Sequence, residues 1–174
     1  IRAHKIALDL NNRQRTYCAK SAGVARFAYN WALAEWNRQY EAHKNDATQP
    51  KPSEAALRRQ LNARKAGEFP WMLEVSKCAP QQAIMQLGAA FKNVFEGRAE
   101  RPSFHKKGVH DSFTLDNEQF DTEGKRLRLP HIGWVRMREQ LLGQQGAGRV
   151  ALDPLLLGPT TDIAPFFLPS PHLA

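Results

Sequence analysis

Two groups of side chains in this sequence have types and spacings that invite chemistry: a carboxylate closing an apolar strand, and arginines set at alternate positions. Asp9 follows Ile6-Ala-Leu8, the placing of a first metal ligand in two-metal phosphodiester cleavage, which needs two or three converging carboxylates. Such sites continue from the acid into a β-hairpin, whereas here the chain passes straight into a helical stretch from Arg13. Asp9 is therefore read as structural or solvent-facing. There is no phosphate-binding glycine loop, no G-x-S-x-G, no H-E-x-x-H and no C-x-x-C, and the six histidines lie far apart. Cys18 and Cys78 have no second ligand at metal spacing, so both read as buried, reduced thiols. No residue is assigned a catalytic role, and no cofactor or metal is expected.

The cations are more informative. Arg126, Arg128, Arg136 and Arg138 alternate along two strand-like runs with Trp134 among them. Cations on a rigid frame neutralise phosphates and release counterions, and an aromatic beside them stacks a base or ribose. The same pattern also suits an ordinary exposed sheet face guarded against aggregation. Arg101, Lys106 and Lys107 form a second group around Pro102. Lys77, Gln81 and Gln82 open a helix and have the paired donors and acceptors that read base edges. Arg58 and Arg59 lie on another helix, on a face that is either solvated or phosphate-contacting.

The elements that must position these groups follow from periodicity. Residues 4–10 place Ile6, Leu8 and Leu10 on one side of a strand. From Arg13 to about Lys44 the period is helical, with Val24, Phe27, Trp31 and Ala34 on one stripe and Tyr29, Leu33, Trp36 and Tyr40 beside it. Gly23 marks a close contact or a break. Ser53 caps a helix to Ala66 that Gly67 closes, with Leu57 and Leu61 inward. A third helix over residues 80–96 buries Ile84, Leu87, Phe91, Val94 and Phe95. Beyond Arg101 the period turns to two. Phe113 and Leu115, then Leu127 and Leu129, form strands joined by a hairpin at Thr122-Glu-Gly124, and a third strand starts at Ile132. Residues 140–174, with five prolines and four glycines, show no compact element.

The charge sharpens the division. The chain of 174 residues has a formal charge of +8, and residues 1–139 hold 24 basic against 15 acidic side chains while 140–174 hold one against two. A polyanionic partner is expected for the first part, nucleic acid before a membrane surface. No signal-peptide pattern and no run of about 18 apolar residues occurs, so a cytoplasmic, nucleoid-associated protein that spans no membrane is expected.

Three stretches, in order, resemble the N-terminal part of TnpB, the OrfB-type RNA-guided DNA endonuclease of insertion sequences, related to type V CRISPR effectors. They are Ile6-Ala-Leu-Asp-Leu10 with Gly23-Val-Ala-Arg-Phe-Ala-Tyr-Asn-Trp-Ala-Leu-Ala34; Ala90-Phe-Lys-Asn-Val-Phe95 leading to Arg101-Pro-Ser-Phe-His-Lys-Lys107; and Arg128-Leu-Pro-His-Ile-Gly-Trp-Val-Arg136. The resemblance covers residues 2–139. It implies an α+β fold: a helical recognition lobe, called helix-turn-helix in such proteins, inserted into an incomplete wedge-type antiparallel β-barrel, with an irregular C-terminal tail. The divisions are 1–12 for the first barrel strand, 13–100 for the helical lobe, 101–139 for the β-rich wedge domain and 140–174 for a tail outside the family.

The resemblance further implies a guide-type RNA from the element's end and double-stranded DNA as partners of a monomer. Lys77 and Gln81 fall on positions that read the motif beside the target, and the family has an aromatic where Cys78 stands here. Arg58 and Arg59 then contact DNA; Arg101, Lys106, Lys107, Arg126, Arg128, Trp134, Arg136 and Arg138 contact RNA or phosphate. The family's RuvC-like nuclease, with its divalent metals and zinc ribbon, has no counterpart in the 174 residues, so no enzyme activity is expected. An independent helix-turn-helix DNA-binding regulator and a decayed, non-functional transposase remnant stay open as alternatives.

Overall fold

The alternating start of the chain forms β1, Ala3–Asp9, with Ile6, Leu8 and Leu10 buried and Asp9 exposed. The structure is a computed structural model that describes residues 3–140, 148–151 and 164–169, with side-chain surroundings from residue 6 to 140 apart from Asn117. Asn11 caps helix α1, Asn12–Asn45: its side chain accepts from the Gln14 N–H, while Gln14 Oε1 accepts from the Asn11 N–H. This reciprocal pair satisfies two donors that a helix start leaves unpaired. Gln14 Nε2 also donates to the Trp134 carbonyl at 3.1 Å, pinning the helix start to the sheet.

Helix α1 runs unbroken through Gly23, where an added Cβ would meet nothing within 4 Å. The expectation of a break or close contact there is corrected. One interior glycine costs only about 0.5–1 kcal/mol, too little to interrupt a long helix packed along its length. The buried face centres on Cys18, Ala22, Ala25, Ala28 and Ala32, small residues over which a neighbouring helix can lie close. Tyr29, Leu33 and Trp36 reach the core from beside that line, whereas Phe27 and Trp31 are half-buried and Ala34 is exposed.

Ser53 caps helix α2, Glu54–Glu68, accepting from the Ala56 N–H at 3.3 Å, and Leu57 and Leu61 are buried. Gly67 lies inside the last turn rather than closing it; the helix ends at Phe69, whose ring packs edge-on against Phe27. A 3-10 turn, Pro70–Glu74, leads to helix α3, Cys78–Phe95. The close approach assigned to Gly23 occurs instead at Gly88 of α3, where a Cβ would lie 2.8 Å from Glu54 Cβ. Helix α3 buries Ile84, Leu87 and Phe91, but Phe95 is 64% exposed, against expectation. The core stops at Phe91, on which Trp36 stacks face to face with ring centroids 4.3 Å apart.

The remaining strands are β2 Ser112–Leu115, β3 Asp121–Glu123, β4 Arg126–Leu129, β5 Gly133–Met137, β6 Gly148–Ala151 and β7 Ala164–Pro169. All pairs are antiparallel, in the order β2-β6-β7-β1-β5-β4-β3. The hairpin before Arg126 joins β3 to β4 through Gly124-Lys125, with Gly124 at φ 56°. The Phe113 strand is therefore not its partner; β2 pairs with β6. Three residues, Asp-Thr-Glu, carry too little apolar alternation to announce β3.

Strands β6 and β7 fall within residues 140–174, read from sequence as irregular throughout; most of that stretch lies outside the described residues. They pair with each other and with β2 and β1, the last two far away in the chain, so no local pattern reports those outer pairings, and flanking Pro and Gly hide the strands. Leu127, Leu129, Val135 and Met137 of the sheet share one apolar core with the helices. The fold is α+β.

Candidate nucleic-acid interface

Alternation along β4 and β5 sends Leu127, Leu129, Val135 and Met137 into the core and leaves Arg126, Arg128, Trp134 and Arg136 on the outer face. The register decides what stands beside each. Asp9, Arg136, Arg126 and Glu123 form one row across four strands, and Trp134, Arg128 and Asp121 form the next. Two arginines thus face each other at the centre of the first row, an arrangement that destabilises a bare sheet and suits a shared anion. Arg126 is also paired with Glu123 at 2.7 Å and lies over the Trp134 ring, 5.2 Å from its centroid. Arg138, just past β5, is exposed, and its backbone N–H is held by the Ala7 carbonyl. The acids Asp9, Asp121 and Glu123 on this face are what the linear pattern missed, because register alone brings them there.

The second cationic group rides on the connection from α3 to β2. Asn30 of α1 clasps His105 twice, its amide donating to the carbonyl at 3.0 Å and its Oδ1 accepting from the N–H at 2.8 Å. His105 stacks on Tyr29 at 3.7 Å and on His110, and Arg26 forms an ion pair with Asp111. Lys106 and Lys107 are thereby presented to solvent from a fastened loop. Arg101 lies apart from them, near Asn37 and 5.9 Å from the Tyr40 ring centroid.

At the start of α3, Ser76 Oγ accepts from the Cys78 N–H, and the Ser76 N–H donates to the buried Tyr17 hydroxyl. This fixes Lys77 outward at the rim of a cleft of about 330 Å³. That cleft shares Gln119 and His131 with a second, of about 450 Å³, which reaches Arg128. Lys77 and Arg128 thus line two adjoining clefts. His131 holds a left-handed backbone, φ 67°, at the junction. Gln81 is half-buried beside Lys77. Gln82, read as a candidate base reader, instead donates to Asp116 Oδ1, with the Cys78 thiol on Asp116 Oδ2, so it ties α3 to the end of β2.

Helix α2 runs from Glu54 beside Gly88 to Lys65 beside Lys77. Arg58, paired with Glu54, and the exposed Arg59 thus lie away from the Lys77 cleft. The α2 cation that lines it is Lys65. Burial holds the Lys65 ammonium below the usual lysine pKa, and it has no ion-pair partner among the described residues. An ammonium partly withdrawn from water without a counter-charge favours an arriving anion. The signal was present: Leu57, Leu61 and Lys65 are four residues apart, so the lysine sits on the apolar stripe. Among the described residues, no three His, Cys, Asp or Glu side chains converge as metal ligands, and no helix is long and apolar enough to cross a membrane.

Residues 1–45 match the family described as the helix-turn-helix domain of OrfB proteins of IS605 elements. In the structure residues 3–45 make one strand and one unbroken helix. Over 139 residues, 79% of this chain, the sequence is 31% identical to InsQ of Escherichia coli (strain K12), named as an RNA-guided DNA endonuclease. The chain spans about a third of that protein's length, the match covering 34% of it.

Proposed function

We propose that this chain, with its OrfB-type N-terminal region and its likeness to a TnpB-type protein, binds nucleic acid through the β4–β5 face and the adjoining clefts beside it. In this reading the three helices form a recognition lobe inserted after β1, over residues 13–100. The sheet is part of a wedge-type barrel. A guide-type RNA lies on Arg126, Arg128, Trp134, Arg136 and Arg138, with Arg101, Lys106 and Lys107 holding further phosphates. Target duplex DNA meets the start of α3, where Lys77 and Gln81 read the motif beside the target and Lys65 neutralises a backbone phosphate; Arg58 and Arg59 contact DNA farther along α2. The working place is the cytoplasm, at the nucleoid. No cleavage step is assigned to these residues.

The observation that carries this reading is Arg126 directly opposite Arg136, with Arg128 and Trp134 in the adjacent row. Facing guanidinium groups repel, and although Asp9 and Glu123 offset this at the two ends of the row, a polyphosphate laid over the pair would bridge both cations at once. Reversing Arg126, Arg128, Arg136 and Arg138 to Glu should abolish binding of the element's end-derived RNA in a gel shift. Helical content by circular dichroism should stay unchanged, since all four side chains point away from the core. Unchanged affinity at physiological salt would refute the assignment.

A further inference from the structure

Trp36, Tyr40, Phe91, Val94, Phe95 and Arg101 enclose a pocket of about 180 Å³ where the C-terminal part of α1 meets the end of α3. It is smaller than the roughly 300–1,000 Å³ of sites for drug-sized ligands, and it has the size and lining for one flat ring system. Phe91 is stacked on Trp36 within 5° of parallel, and Phe95 stacks on Phe91 at 6.2 Å while remaining largely exposed. An exposed phenylalanine at the mouth of an aromatic pocket offers a face that water leaves poorly satisfied.

One polar feature restricts the occupant. Arg101 stands at the pocket with its guanidinium near the Tyr40 ring, on the connection that also carries Lys106 and Lys107. An occupant with a planar π-face and an attached negative charge meets both the aromatic lining and the guanidinium. A purely apolar side chain would leave the guanidinium without a counter-charge.

We propose that this pocket takes an unpaired nucleobase from a single-stranded nucleic acid, stacked on the exposed ring of Phe95, with the adjoining phosphate on Arg101. The proposal rests on the nucleic-acid reading above and adds a base-holding site away from the sheet. Stacking of splayed bases on aromatic side chains is the general means by which single strands are held. Nothing in the pocket reads a ribose hydroxyl, so RNA and DNA single strands share its chemistry.

The test uses the full chain carrying Trp134→Ala, which removes the stacking ring of the sheet face, and a short oligouridine containing 4-thiouridine. Irradiation should place adducts on the peptides holding Tyr40 or Phe91–Phe95, and Phe95→Ala should lower both the adduct yield and the affinity, the latter about tenfold. Phe95→Trp should restore them. A 4-thiothymidine deoxy-oligomer in parallel identifies the source: stronger capture of the ribo-oligomer points to RNA, stronger capture of the deoxy-oligomer to DNA, and either supports the pocket. Adducts confined to other peptides, or no change on Phe95→Ala, would overturn it. So would a dimer that Phe95→Ala dissolves, which would assign the pocket to a second copy of the chain. These outcomes are separable from failure of the sheet reading, which appears as unchanged affinity after the four-arginine reversal.

Discussion

Cys18 shows how much burial alone decides at a single side chain. It is fully buried on the α1 face that meets α3, and loss of hydration pushes its thiol up to about 12 from an ordinary 9.0. Such a thiol is inert toward electrophiles until the protein opens. Because the folded value is raised, Cys18 contributes stability that is fully present below about pH 9 and lost as pH rises through about 12. Chemical denaturation across that window should therefore show a steeper alkaline loss of stability for the wild-type chain than for Cys18→Ala. Equal slopes would mean that the thiol is solvated in the native state. Lys65 has the opposite character: burial lowers its pKa, so its charged form is a cost that a bound phosphate offsets.

For the elements, the two interior helix glycines make a contrast of sign. Gly23 has open space around its missing Cβ, and Gly23→Ala should raise stability by about 0.5–1 kcal/mol through helix propensity alone. Gly88 faces Glu54 across the α2–α3 contact, and Gly88→Val should lower it by about 1–3 kcal/mol by forcing the helices apart. Thermal melts of the two variants should move in opposite directions. On the sheet, Glu123 competes with any polyanion for Arg126. The pair is exposed, so its own worth is small, about 0–1 kcal/mol. Glu123→Gln should accordingly tighten RNA binding by about two- to fivefold at low salt, measured by fluorescence anisotropy, with little change in melting temperature. Weaker binding would show that Glu123 orders Arg126 rather than screening it.

For the whole molecule, the charge is organised by the way sheet and helices share one core. Of the two adjoining clefts, one is lined by Lys65 and Lys77 and the other by Arg128, so a strand laid across both would touch cations from α2, α3 and β4. Binding through several phosphates makes the logarithm of affinity fall linearly with that of salt, and each phosphate contact removed lowers the slope by about one. Lys65→Met, Lys77→Met and Arg128→Met should each lower the duplex- or RNA-binding slope by about that amount in a salt titration. A slope unchanged in all three would place the bound strand elsewhere.

Much of this was legible in the chain alone, where the signal is local. Strand β1, the inward Leu57 and Leu61, the α3 stripe as far as Phe91, and the outward arginines of β4 and β5 follow from periods of 2 or 3.6, and the Ser53 cap from the side-chain oxygen it offers a helix start. Periodicity states which side of an element a residue is on, but not where the core ends, as the exposed Ala34 and Phe95 show. It does not state which strand lies beside which. The pairing of β2 with β6, the short partner β3, the −++− row of Asp9, Arg136, Arg126 and Glu123, and the placing of Lys65 rather than Arg58 at the Lys77 cleft depend on contacts between residues far apart in sequence. Composition and spacing determined that the cations gather in the first 139 residues, on helices and strands of set period. Only tertiary structure decided which cations face each other, because electrostatic neighbours are set by register and helix packing rather than by order along the chain.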